Sequence, residues 1–183
     1  MFTPSAFLDL GGRSVVDVTL NRAARVGRIR KLGRGLYDYP RLGSDGVPLP
    51  PATDAVVRAL VDREATRFQP SGAHAANVLG LSEQVPVRAV FLTEGRGRTV
   101  TLGARKIVLR HATPRQMATA GRKSGTIVQA LRWLGRSNVD DSIKAKLRRQ
   151  LKSEDRRDLL FATRHAPAWI SSILRTLAQE VGA

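Results

Sequence analysis

The chain contains no cysteine. That excludes disulfides, thiol nucleophiles and Cys-ligated zinc or iron–sulfur sites. Aromatic side chains make up only 5% of the 183 residues, too few for the stacking platforms on which single-strand binders seat successive bases. Acidic residues are scarce as well: 15 Asp and Glu stand against 31 Lys and Arg, a formal charge of +16. No apolar run approaches the ~20 residues that span a bilayer. The opening MFTPSAFLDL lacks the basic stretch and apolar stretch of an export signal. What is present is 42% apolar residues, enough for a core without covalent staples, in a length that suits one medium domain or two small ones. A cytoplasmic, membrane-free, basic protein is expected, and the excess of cations favours polyanionic partners such as nucleic acid.

The charge is unevenly spread. Residues 1–41 carry eight Lys and Arg against three acids, a net +5, whereas 42–104 are neutral and 105–164 carry a net +11. The stretch LGSDGVPLPP, 42–51, is rich in Gly and Pro without helical or strand period, and reads as a linker between an N-terminal unit (1–41) and a larger C-terminal one (52–183). Thr3-Pro4 resembles an N-cap followed by proline at the first helical position, opening a short helix that stops at Gly11-Gly12. A second helix runs over 13–26, with Val16, Leu20, Ala23 and Ala24 on one face and Gly27 as its stop. Residues 28–32 and 36–39 read as two strands of a hairpin turned at Gly33-Arg34-Gly35. Helix, turn, helix and basic hairpin is the order of a winged helix-turn-helix.

Beyond residue 51 the periodicity predicts a helix over 54–68 and a small-residue helix over 71–81. Strands at 87–92, 99–102 and 106–110, the last after Gly103, form a three-strand antiparallel meander. Thr113-Pro114-Arg115-Gln116 has the form of a capping box. Further helices are predicted over 126–134, through Val139, Ile143, Leu147 and Leu151, from Ser153, and from Pro167, burying Trp169, Ile170, Ile173, Leu174 and Leu177. The expected fold is therefore α+β and mostly helical: a winged helix-turn-helix, then a domain with a small antiparallel sheet and several helices.

A recognition helix presents polar groups opposite its buried stripe. On 13–26 these include Arg13, Ser14, Asp17, Val18, Asn21, Arg22 and Arg25. Asn suits adenine and Arg suits guanine in the major groove, so Arg13, Ser14, Asn21 and Arg22 are candidates for base contact. Arg25, Arg28, Arg30, Lys31 and Arg34 are candidates for phosphate or minor-groove contact. The bland alternative is a solvated amphipathic helix beside an ordinary surface hairpin; the order of elements and the charge favour DNA.

The stretches FTPSAFLDLGGRSVVDVTLNRAARVGRIRKLGRGLYDYPR (2–41) and QPSGAHAANVLGLSEQVPVRAVFLTEG (69–95) resemble the AbiEi-like antitoxins of bacterial type IV toxin–antitoxin and abortive-infection systems. The resemblance implies a winged helix that binds its own promoter as double-stranded DNA and represses it. It also implies a C-terminal domain that counters a cognate nucleotidyltransferase-like toxin without a stable complex. A winged helix ordinarily has one more helix ahead of the Thr3–Leu10 segment, which 1–41 does not supply, leaving Phe7, Leu8, Val16 and Leu20 short of a packing partner. Two alternatives stay open: a stand-alone winged-helix regulator, and an antitoxin that binds its toxin directly.

A second basic zone lies around Arg105, Lys106, Arg110, Arg115, Arg122 and Lys123 and on the helix bearing Lys144, Lys146, Arg148, Arg149 and Lys152. It reads either as a solvated face or as a second polyanion surface, with Lys144, Arg148, Arg149 and Lys152 its core. Nothing points to an enzyme. His74, His111 and His165 have no metal-ligand spacing. Ser71-Gly72 is not in a nucleophile elbow, and Gly121–Gly125 lacks the spacing of a phosphate loop and reads as a helix break. Asp140 and Asp141 are explained by capping. No catalytic residue, metal or cofactor is expected. Trp133 and Trp169 fall in apolar helical patterns and are assigned to the core.

Overall fold

A computed structural model describes residues 1–61, 67–84, 86–102 and 105–180. The fold is α+β with two small sheets, as the sequence leads one to expect. The chain divides into two compact units, Met1–Thr66 with Val100–Ala104, and Arg67–Thr99 with Arg105–Ala183.

In the first unit a 3-10 turn, Pro4–Phe7, precedes α1 (Arg13–Arg25), β1 (Arg30–Gly33), β2 (Leu36–Asp38) and α2 (Thr53–Val61). Proline's fixed φ suits the start of the turn, and extended Thr3 leads into it without a side-chain cap. α1 ends because Gly27 takes φ +74°, so that its N–H and that of Arg28 return to the carbonyls of Ala24 and Ala23. A side chain there would meet the left-handed strain that glycine avoids. The strands pair antiparallel, Arg30 with Asp38 and Lys31 with Tyr37, with an irregularity before Gly33 meets Leu36. Phe2 adds a bridge on the far side of β2: its N–H donates to Tyr37 O at 2.9 Å and Tyr37 N–H donates back at 3.0 Å. The Phe2 ring stacks on Tyr37 and meets Phe7 edge-on. Val16, Leu36 and Tyr37 are buried, while Leu8 and Leu10 are exposed.

The Gly/Pro-rich stretch is an ordered reversal. Leu42 bridges Pro48, Gly43 N–H donates to Val47 O, Leu49 N–H donates to Arg41 O, and the Asp45 carboxylate accepts from Val47 N–H. In α2 Val56, Val57 and Leu60 form the buried stripe. Of the helix expected over 54–68, residues 62–66 lie outside the described residues, and Phe68 already belongs to a strand.

The rest of the chain forms β3 (Phe68–Ser71), α3 (Gly72–Val78), β4 (Arg88–Thr93), β5 (Arg98–Leu102, of which residues 100–102 are counted with the first unit), β6 (Arg105–His111), α4 (Pro114–Met117), α5 (Lys123–Leu134), α6 (Asp141–Gln150), α7 (Arg156–Ala162) and α8 (Ala168–Glu180). Gly103, expected in a turn, and Val85 of the 69–95 stretch lie outside the described residues. The sheet is mixed, in the order β3-β4-β6-β5, which corrects the antiparallel meander. β3 runs antiparallel to β4, and β4 lies parallel to β6 with Ala89 opposite Ile107 and Phe91 opposite Leu109. The reason is burial. Those four side chains are all buried, so the two most apolar strands take the middle. The polar alternation of RTVTL leaves β5 at the edge. Pro70 is tolerated in β3 because β3 is the opposite edge.

The helical core gathers Ile127, Leu131, Leu147, Leu159, Ile170, Leu174 and Leu177 around the alanines of α3. Trp169 packs partly buried against it. Trp133 is 45% exposed, which corrects its assignment to the core: α5 turns its apolar side, Ile127 and Leu131, inward and Trp133 falls outside that stripe. Thr113 caps α4 in a complete capping box with Gln116. Gly121 (φ +81°) ends the preceding turn, but Ser124 and Gly125 are buried inside α5, so the break is confined to Gly121. A polar seam joins β3 to α5. Buried Gln69 donates from Nε2 to Gly125 O at 3.3 Å and accepts from Thr119 Oγ1 at 3.4 Å, and Ser71 Oγ donates to Gln129 Oε1 at 3.2 Å.

Gly125 is where this seam admits no side chain. A Cβ there would stand 2.2 Å from the Thr119 carbonyl oxygen and 2.5 Å from Gln69 Oε1. Gly125→Ala should destabilise the protein by about 1–3 kcal/mol, the usual cost of overpacking. Gly11→Ala, whose Cβ would meet nothing within 4 Å among the described residues, should be near neutral. Urea denaturation of the two variants beside the parent checks both.

Candidate nucleic-acid interface

α1 buries Val16 and half-buries Leu20, Ala23 and Ala24, leaving Ser14, Val15, Val18, Arg22 and Arg25 exposed. On a 3.6-residue period Ser14, Val18, Arg22 and Arg25 share the side opposite Val16. The face is therefore cationic at its C-terminal half and apolar at its middle. Arg22, Arg25, Arg28 and Arg34 are exposed, and none of them forms an ion pair among the described residues.

The other expected contact residues are drawn together between α1 and the hairpin. Arg13 Nε donates to Asp17 Oδ2 at 3.0 Å, one helical turn on. Both partners are open to water, so the pair adds only a few tenths of a kcal/mol. Asn21 is engaged on both ends of its amide. Nδ2 donates to the Asp17 carbonyl at 2.8 Å. Oδ1 accepts from Lys31 Nζ at 2.8 Å and from the Tyr37 hydroxyl at 3.3 Å. Burial and the nearby Asp17 charge push the Tyr37 phenol up from its ordinary value, which keeps it a protonated donor. Arg13, Asp17, Asn21, Lys31, Arg34, Gly35 and Tyr37 line one groove of about 450 Å³.

Arg30 is held inside the unit. Its Nε and Nη2 donate to the two oxygens of Asp38 at 3.0 and 2.6 Å, and Nη2 also reaches Leu49 O at 3.0 Å. The bidentate bond to Asp38 raises its already high pKa. The Asp38 carboxylate is nearly enclosed, so this guanidinium compensates a charge the hairpin has buried. Tyr37 and Asp38 are site residues that polarity and spacing do not single out, because both read as ordinary strand positions. The i,i+4 spacing of Arg13 and Asp17 was the available signal for their pair.

In the second unit Lys144 pairs with Asp141 at 2.9 Å, Arg148 clasps Glu180 through two bonds of 2.7 and 2.6 Å, and Lys152 stands 4.0 Å from Glu154. Arg149 is exposed and forms no ion pair among the described residues. Lys123 pairs with Asp155, and Arg122 pairs with Asp158 while lying over the Phe161 ring. Arg122, Lys123, Lys144, Arg148 and Lys152 of this zone are thus matched by acids, whereas Arg105, Lys106, Arg110, Arg115, Lys146 and Arg149 are exposed and form no ion pair among the described residues. On the sheet Arg88 and Lys106 are register neighbours and Arg110 follows, all three exposed and without an ion pair among the described residues. That neighbourhood depends on the parallel pairing, which local pattern does not reveal.

His74 lies against Phe91, His111 contacts the Gly95 carbonyl, and His165 lies beside Phe161. Among the described residues no three or more His, Asp and Glu are grouped to hold a metal ion. Among them no helix is long and apolar enough to cross a membrane.

Residues 1–159 match DUF6088, a family of unknown function, and the chain belongs to that family. No curated protein and no solved structure matches it.

The Arg30–Asp38 pair should be needed for the hairpin. Asp38→Ala leaves Arg30 half-enclosed and uncompensated, and removes two charge-assisted hydrogen bonds. A loss of about 1.5–3 kcal/mol is expected, read as a lower urea midpoint.

Proposed function

We propose that this protein is the antitoxin of a bacterial type IV toxin–antitoxin system, that it works in the cytoplasm, and that it represses its own operon by binding the promoter as duplex DNA. The observation that carries the DNA half is the exposed face of α1, beside a hairpin carrying Lys31 and Arg34. Ser14, Val18, Arg22 and Arg25 line that face, and its two arginines form no ion pair among the described residues. An α-helix fits the major groove, where an arginine fork matches guanine O6 and N7 and an apolar side chain meets the thymine methyl. In this reading Arg22 and Arg25 read guanine, Val18 meets thymine, and Arg28, Lys31 and Arg34 contact phosphates. The toxin half rests on the likeness of residues 2–41 and 69–95 to AbiEi-like antitoxins. In that reading the second unit counters a nucleotidyltransferase-like toxin without a lasting complex.

Binding to the protein's own promoter and to an unrelated duplex, measured by mobility shift at two salt concentrations, tests the first half. The promoter should be preferred, and Arg22→Ala should cost ~1–3 kcal/mol there while relaxing preference at one position. Arg28→Ala should weaken both duplexes alike and flatten the salt slope by roughly 0.9. Equal affinity for both duplexes would sink the repressor reading. Co-expression with a nucleotidyltransferase encoded beside it should restore growth. Promoter binding without rescue would leave a stand-alone regulator.

A further inference from the structure

The groove between α1 and the hairpin carries more positive charge than it balances. Arg13, Lys31 and Arg34 line it, and Asp17 is the one acid lining it among the described residues. Asp17 turns its carboxylate to Arg13. Lys31 instead gives its ammonium to a neutral acceptor, Asn21 Oδ1, at 2.8 Å, and Arg34 forms no ion pair among the described residues. An ammonium bonded to an amide oxygen is oriented but not neutralised, and its two remaining hydrogens are free to donate.

Asn21 pays for this arrangement with its own recognition capacity. Both lone-pair sites of Oδ1 are taken, by Lys31 and Tyr37, and Nδ2 is bonded to the Asp17 carbonyl. Reading adenine requires the amide to present donor and acceptor together. Here that would break the bond to Lys31 and the bond to Asp17, and leave the hydroxyl of buried Tyr37 without its acceptor. The tip of the hairpin beside the groove is Gly35 at φ +66°, so no Cβ stands between Arg34 and whatever approaches.

We propose that this groove seats a single phosphate of a nucleic-acid backbone, held by Arg13, Lys31 and Arg34, and that Asn21 is a positioning residue that aims Lys31 at it rather than a reader of bases. The inference rests on the DNA reading of α1 and the hairpin. A helix in the major groove and a wing over the neighbouring minor groove are separated by one sugar–phosphate strand. The cleft between helix and wing is where that strand must pass. A phosphate there replaces the water around three cations and releases Arg13 from its weak surface pair with Asp17.

Two measurements on the full chain test this. In the first, inorganic phosphate is titrated against a chloride control of equal ionic strength, with NMR following the Asn21 side-chain amide and the Nε–H groups of Arg13 and Arg34. These resonances should shift saturably with phosphate and not with chloride. Lys31→Met and Asn21→Ala should each weaken the binding at least threefold. Shifts no larger than those in chloride, or unchanged affinity in both variants, overturn the seat.

In the second, Asn21→Ala should weaken promoter and unrelated duplex by the same factor, about three- to tenfold, with the preference at every base unchanged. Its salt slope should flatten by roughly 0.9, as in Lys31→Met, and the double variant should bind no worse than Lys31→Met alone. Relaxed preference at one adenine, or additive losses, overturns the positioning role. Lys31 is exposed, so Lys31→Met keeps the test decisive even if Asn21→Ala loosens the fold, which the thermal midpoint reports. Phosphate binding without promoter preference removes the repressor reading and leaves the seat. Promoter preference without the phosphate response does the reverse.

Discussion

Tyr37 holds the N-terminal unit together. Its backbone exchanges two hydrogen bonds with Phe2 on one side and pairs with Lys31 on the other. Its ring lies buried under Phe2, and its hydroxyl reaches Asn21 on α1. A two-stranded hairpin is marginal by itself in water. This one gains a third backbone segment from Phe2, an enclosed ion pair in Arg30–Asp38, and a link to the helix through one amide. α1 and the hairpin are therefore tied to each other at several points, as the proposed duplex-binding surface would require. The burial of Leu36 and Tyr37 supplies most of the holding free energy, at roughly 2 kcal/mol for a large side chain. The polar contacts set the angle.

Net charge and available charge differ in this molecule. The larger excess lies in residues 105–164, yet Arg122, Lys123, Lys144 and Arg148 there each face a carboxylate. Several of these pairs join different helices, α6 to α8 through Arg148 and Glu180, and α5 to the turn before α7 through Lys123 and Asp155. They serve the helical packing as much as the surface. The smaller excess in 1–41 leaves Arg22, Arg25, Arg28 and Arg34 without acids among the described residues, but Lys106, Arg110, Lys146, Arg149, Arg156 and Arg157 are likewise exposed and unpaired among them. What sets 1–41 apart is that its unpaired arginines gather on one helix and its hairpin, not that it holds more free charge. For attracting a polyanion the second quantity counts, since an exposed paired cation must first be separated from its partner.

Local signals read well from the sequence where one residue type has one physical use. Thr113 with Gln116 is a capping box, Gly27 stops α1, and the Val16–Leu20 stripe faces inward. What stayed hidden needed knowledge of a neighbour. Pro70 disguised β3, because proline is excluded from central strands but not from edges. Alternation located β4 and β6 but does not say which strand lies beside which, or in which direction, and their parallel pairing follows from shared burial. Trp133 fits an apolar helical pattern whose stripe happens to end before it. At the candidate site the exposed arginines of α1 were legible from periodicity. The engagement of Asn21 and Arg30 was not, since a sequence shows that a side chain is polar and not what already bonds it.

That last distinction narrows what the proposed interface can read. With the Asn21 amide and the Arg30 guanidinium committed to the hairpin, base discrimination falls to Ser14, Val18, Arg22 and Arg25. Two arginine forks favour guanine, a valine favours the thymine methyl, and serine discriminates little. A surface of this composition draws affinity from phosphates and selectivity from few positions, so correct placement of the helix matters more than the number of contacts. Placement comes from the backbone contacts that flank it. A wing locked to the helix through Lys31, Asn21 and Tyr37 provides such a reference, because a phosphate seated between them fixes both depth and register of α1. The internal bonding of an apparently ideal base-reading residue is then consistent with selectivity, since it sets where the remaining readers fall.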